Sequence, residues 1–151
     1  MYTDGDVSID LQNCAAYLNK TVVATGNITV TRTPGGHQSH ELMVNLIARG
    51  SIDIDLHGCG SSSYGITGFI FAAGEQSINI GHDGKGNFTG VNIDISGGGH
   101  ASKSIAGVVM AKNSSIVLDM HACGAGDNGI EYADVLINDF NKTTTYWREI
   151  R

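Results

Sequence analysis

Short runs of alternating apolar and polar residues, each cut off by a glycine-rich turn, recur along almost the whole chain and constrain its fold more than any other feature. Alternation puts every second side chain on one face of a strand. Such runs occupy Val7–Leu11, Thr21–Ala24, Asn27–Thr31, Leu42–Ala48, Ser51–Leu56 and Ile66–Ala72. They continue at Ser77–Ile80, Val91–Ile95, Ile105–Ala111, Ser115–Met120 and Asp134–Asn138. Clusters such as Pro34-Gly35-Gly36, Asp83-Gly84-Lys85-Gly86 and Gly97-Gly98-Gly99 divide them, and these residues favour turns. Most of the 21 glycines therefore read as turn residues, with Asp83-Gly84 a tight turn after Ser77–Ile80. The pattern predicts an all-β chain in which only Asn13–Asn19 has the composition for a turn of helix.

A second signal is internal similarity. Ile54-Asp55-Leu56-His57-Gly58-Cys59-Gly60 aligns with Ile93-Asp94-Ile95-Ser96-Gly97-Gly98-Gly99, and Ile66–Ala72 aligns with Ile105–Ala111, both at a shift of 39. Echoes of the first block begin at Ile9 and Leu118, at irregular intervals. Two architectures accommodate this. An antiparallel, jelly-roll-like β-sandwich packs inward Ile, Val, Leu and Phe between two sheets. A short parallel β-helix stacks the same strands coil upon coil, but a solenoid is expected to keep a nearer-constant period. The irregular intervals favour the sandwich, and 151 residues suit a single domain.

Charge narrows the partners. The net charge of -6, with nine basic residues scattered singly, disfavours a nucleic-acid backbone, which requires a concentrated basic surface. No run of 18 apolar residues exists, so no membrane insertion is expected. Met1 leads into polar Tyr2-Thr3-Asp4-Gly5-Asp6, so no secretory signal peptide is expected either.

Two His-x-Cys-Gly units, His57-Gly58-Cys59-Gly60 and His121-Ala122-Cys123-Gly124, are the sharpest chemical constellation. If the strand ends lie side by side, His57, Cys59, His121 and Cys123 can converge as a tetrahedral zinc site. The spacing is tight for one ion, and the competing reading makes these residues the corners of duplicated strands, with cysteine packed as a small hydrophobe. The expectation is therefore no cofactor, with zinc as the alternative. Asp53, Asp55, Asp94 and Asp119 alternate with apolar neighbours and so project away from the core. Paired carboxylates can hydrolyse a glycosidic bond, but outward acids more often keep strands soluble. No nucleophile elbow or phosphate loop occurs, so no enzymatic activity is expected.

The end of the chain, Ile130–Phe140 followed by Thr145-Tyr146-Trp147-Arg148-Glu149-Ile150, resembles the closing strands of bacteriophage tail-fibre receptor-binding domains. Ser77–Gly84 is similar to the strand and turn that such fibre heads carry before their last hairpins. The resemblance spans roughly residues 40 to 151. It implies a homotrimeric tail-fibre tip in the virion, made in the host cytoplasm, that binds a bacterial surface polysaccharide without changing it. Residues 1–40 then form an N-terminal strand pair or fibre-proximal segment and 41–151 the main sandwich. Loop position and chemistry select Tyr64, His82, Asp83, Asn87, Phe88 and Tyr132 as ligand contacts, because aromatic faces beside Asn and Asp suit sugars. The alternatives are a structural trimerisation or virion-decoration module, and a β-helical tailspike-like depolymerase.

Overall fold

The computed structural model describes residues 1–11, 17–32, 40–57, 64–81, 86–96, 103–112 and 114–120. Among these, the elements are all strands: β1 (Tyr2–Thr3), β2 (Val7–Leu11), β3 (Tyr17–Ala24), β4 (Ile28–Arg32), β5 (His40–Ala48), β6 (Ile52–Asp55), β7 (Tyr64–Ala72), β8 (Ile78–Ile80), β9 (Gly86–Phe88), β10 (Gly90–Asp94), β11 (Lys103–Ala111) and β12 (Ser115–Asp119). No helix among the described residues is long and apolar enough to cross a membrane.

The strands form a parallel β-solenoid. Sheet A has the order β1-β3-β5-β7-β11 and sheet B the order β12-β10-β6-β4-β2. Every pairing within both sheets is parallel, and only the small β8-β9 pair is antiparallel. Successive strands such as β2 and β3 lie in opposite sheets, and each pairs with the strand one coil later. The all-β expectation holds and the antiparallel jelly-roll-like sandwich does not; the parallel β-helix is the architecture found.

The irregular intervals that favoured a sandwich have a local cause. Val7 pairs with Ile28, Ile28 with Ile52, Ile52 with Val91 and Gly90 with Ser115, so successive coils advance 21, 24, 39 and 25 residues. In sheet A, His40 pairs with Tyr64 and Tyr64 with Lys103, advances of 24 and 39. The long coil is an ordinary one carrying 15 extra residues, 75–89. Gly26 N donates to Gly5 O (2.9 Å), Gly50 N to Gly26 O (3.0 Å) and Gly74 N to Gly50 O (2.9 Å). The corner therefore stacks regularly up to Gly74, and the chain rejoins it at Gly90.

Inward residues stack in columns that fill the space between the sheets. Ile28, Ile52 and Val91 form one column and Val30, Ile54 and Ile93 the next, all fully buried. They share one core cluster with Leu42, Ile66 and Ile105 and with Leu46, Ile70 and Val109 of sheet A. Like side chains stack because the parallel register sets each strand directly over its counterpart. The same register overrides the helical expectation: Tyr17–Asn19 belong to β3, where Leu18 stacks on Leu42 and packs against the core, and residues 13–16 lie outside the described residues.

Two glycines lie inside strands, where the runs Ile66–Ala72 and Ile105–Ala111 put them. Gly68 (φ +135°) and Gly107 (φ +132°) sit in the middle of β7 and β11, paired with each other. A Cβ on Gly68 would stand 2.0 Å from Val44 O, and one on Gly107 2.0 Å from Gly68 O. Only a residue without Cβ lets these backbones approach in that conformation.

Candidate functional site

The 15 extra residues leave the stacked corner and return to it as a hairpin. β8 and β9 pair antiparallel, with Ile78 opposite Phe88, Asn79 opposite Asn87 and Ile80 opposite Gly86. Alternation divides the hairpin into two faces. Ile78 and Ile80 are buried apart from the central cluster, and β8 packs against β6. Asn79 and Asn87 stand opposite each other on the exposed face, and Phe88 is half-buried.

The base of the hairpin is clamped. Ser51, fully buried, donates from Oγ to Gln76 O (2.6 Å) and accepts from Gly90 N–H (3.0 Å). One hydroxyl thus ties the start of the insertion to its end. Asn27, one coil earlier, donates from Nδ2 to Ser77 O (3.1 Å), and its Oδ1 accepts from Ser51 N–H (2.7 Å). Asp6 Oδ1 accepts from Asn27 N–H (2.7 Å). A residue with a short polar side chain before β2, β4 and β6 therefore holds the next coil's backbone, and the insertion runs back along this ladder. Arg49 Nε pairs with Glu75 Oε2 at 2.5 Å on the exposed side.

Beside the clamp lies a shallow cleft of about 300 Å³ lined by Asp4, Gly5, Asp6, Thr25, Gly26 and Gln76. Thr25 Oγ1 donates to Asp4 Oδ1 (2.7 Å) and accepts from Gly5 N–H (2.8 Å). The cleft thus presents carboxylate, hydroxyl and carboxamide groups, of which the Asp4 carboxylate and the Thr25 hydroxyl hold each other in place. Such groups satisfy the hydroxyls of a polar ligand.

The ligand contacts expected from sequence divide accordingly. Asn87 and Phe88 lie on β9, while His82, Asp83 and Tyr132 lie outside the described residues. Tyr64 opens β7, at the far end of that strand from Ala72 and the hairpin base, about 26 Å away at an ordinary strand rise. It does not join the hairpin. Asn79 and the cleft residues were missed. Alternation in Ile78-Asn79-Ile80 marks Asn79 as outward, whereas Asp4 and Gln76 meet only through the fold.

Of the zinc ligands expected, His57 is described, and Cys59, His121 and Cys123 lie outside the described residues. The structure brings His57 to Asp55 and Asp94, with one donor atom from each within 4.8 Å of the others. Two carboxylates and an imidazole are a donor set suited to a divalent cation. Protein partners also hold them: His57 Nδ1 pairs with Asp55 Oδ1, and Asp94 Oδ1 accepts from Ser96 N–H (2.9 Å). The aspartates lie on the outer side of sheet B as alternation requires, yet Asp94 is fully buried and Asp53 is buried too. Their role as solubilising surface acids is corrected at those two positions. Asn92 Nδ2 donates to Asp53 Oδ1 (2.8 Å) in the same layer.

Compared with known proteins, the chain matches no family. It matches no characterised protein and no solved structure either.

Proposed function

We propose that this chain is a non-enzymatic glycan-recognising segment of a bacteriophage tail fibre, working as a homotrimer on a bacterial surface polysaccharide. The fibre assignment comes from the sequence resemblance. The observation that carries glycan recognition is the inserted hairpin, the largest departure from a regular coil among the described residues. Insertions into a repeat array commonly form its binding face. This one is held at its base by Ser51 and Asn27, exposes the Asn79–Asn87 pair and borders a polar cleft. Carboxamides match the alternating donors and acceptors of sugar hydroxyls, and a hairpin held at its base is partly pre-organised, which lowers the entropic cost of binding.

The test is a glycan array followed by calorimetry on the sugars that bind, comparing the full chain with a variant lacking residues 75–89. Joining Gly74 to Gly90 restores a 24-residue coil like the one before it, so the solenoid is expected to fold without the insertion. The expected result is binding by the full chain and at least tenfold weaker binding by the deletion at an unchanged strand signal. Undiminished affinity in the deletion would overturn the hairpin assignment.

A depolymerase is the second reading, favoured by the solenoid and by the neighbouring Asp55 and Asp94 carboxylates. It ranks second because Asp94 is wholly buried, whereas a catalytic acid or nucleophile must touch the glycosidic bond. Release of reducing ends from capsule or lipopolysaccharide would reverse that order.

A further inference from the structure

The outer face of sheet A is uncharged beyond Glu41, which stands exposed near its starting edge. On β3, β5, β7 and β11 the outward positions between the third and the eighth residue of each strand carry no Lys, Arg, Asp or Glu, in a chain with nine basic and fifteen acidic residues. Register aligns Val23, Ile47, Phe71 and Met110 in one outer column. Thr21, Asn45, Phe69 and Val108 form the next. Phe69 and Phe71 lie ring to ring, with centroids 6.5 Å apart and planes inclined by 11°. Tyr2, Met43 and Val108 are among the large apolar side chains exposed on the single chain.

We propose that this face is where copies of the chain meet, the outer surfaces of sheet A from three chains turning towards the common axis of the homotrimer, each against both of its neighbours. The inference rests on the self-assembly part of the proposed function and locates its interface. Three observations select a second copy as the occupant. First, copies of a chain with net charge -6 repel each other over most approaches, and an uncharged face lets them dock without opposing like charges. Second, strands β5, β7 and β11 are each nine residues long. Ordinary strand rise and spacing then give the sheet an outer area of roughly 600 Å² per chain, of the order of the ~800 Å² that one chain buries in a stable protein interface. Third, parallel sheets are normally covered on both faces, and here one face of sheet A covers the core while the other carries the Phe71 column. A sugar is a poorer fit, because between the third and the eighth residue of each strand the face offers its hydroxyls only Asn19, Thr21, Asn45 and Thr67, and Asn45 Nδ2 already donates to Thr21 Oγ1 (3.2 Å).

The experiment is light scattering on the full chain and on the double variant Met43→Glu/Val108→Glu, with Ser8→Glu on exposed sheet B surface as the control. The expected masses are about 48 kDa for the full chain and the control, three times 15.9 kDa, and 15.9 kDa for the double variant with its strand signal retained. A full chain that is monomeric, or a double variant that keeps the full mass, would overturn the proposal. Should the double variant fail to fold, hydroxyl-radical footprinting of the unmodified chain decides. Oxidation of Met43 is expected to rise at least threefold on dilution below the assembly concentration, and oxidation independent of dilution counts against the interface. Protection of Met43 by added glycan without a change of mass also counts against it. A monomer that still binds glycan refutes this interface and leaves the hairpin reading standing, whereas a trimer that binds no glycan does the reverse.

Discussion

Asn92 Nδ2 donates to Asp53 Oδ1 across 2.8 Å, between residues 39 apart in the chain and directly opposite each other on β10 and β6. The 39-residue near-repeat is thus a physical distance: one coil of the solenoid, with its insertion. Because both residues are buried, Asn92→Ala withdraws a donor from a carboxylate that water does not reach. The expected cost is about 1–3 kcal/mol. Urea unfolding checks it as a lowered midpoint at unchanged slope, and an unchanged midpoint would show that the pair contributes nothing net.

Gly68→Ala tests the close approach of β7 to β5. Its positive φ alone costs about 1–3 kcal/mol for a residue with Cβ, and the clash with Val44 O adds to that. Gly81→Ala is the comparison, since a Cβ there meets nothing within 4 Å. Thermal melts are expected to separate the two clearly, with Gly81→Ala within about 0.5 kcal/mol of the parent.

Ser51→Ala removes both hydrogen bonds at the hairpin base. A loss of about 1–3 kcal/mol is expected from leaving a buried donor and acceptor without their partner. Hydrogen exchange supplies the local readout: the Gly90 amide is expected to exchange faster while amides of β4 keep their protection. Equal acceleration throughout would mean that Ser51 supports the whole coil rather than the insertion.

Ile54→Ala probes the column between the sheets. Ile54 is fully buried between Val30 and Ile93, and strands paired on both sides limit collapse around the cavity. A loss of about 2–5 kcal/mol is expected. Calorimetry would measure it, and a loss below 1 kcal/mol would indicate that the sheets move together to fill the space.

Reading the sequence located most strands to within a few residues. Ten of its alternating runs lie on strands of the structure, because alternation is a local consequence of having one face in the core. Two strands were missed, β1 and β9, where Tyr2-Thr3 and Gly86-Asn87-Phe88 are too short to alternate. A smaller part of the candidate site was visible, and by another route. Asn87 and Phe88 were picked from loop chemistry, whereas the Ser51 clamp joins residues 25 and 39 positions away.

The sequence by itself determined that this protein is built of short strands, which residues of each strand face inward, and that Asp53, Asp55 and Asp94 face out. Pairing was left to the tertiary structure, because the same alternation serves a strand that turns back on its neighbour and one that waits a full coil for its partner. The regular advance was hidden by 15 inserted residues, and only the register of Ile52 on Val91 reveals it. Burial of the outward aspartates was decided there too. Alternation assigns a side chain to a face of its own sheet, and what lies over that face is set by distant parts of the chain.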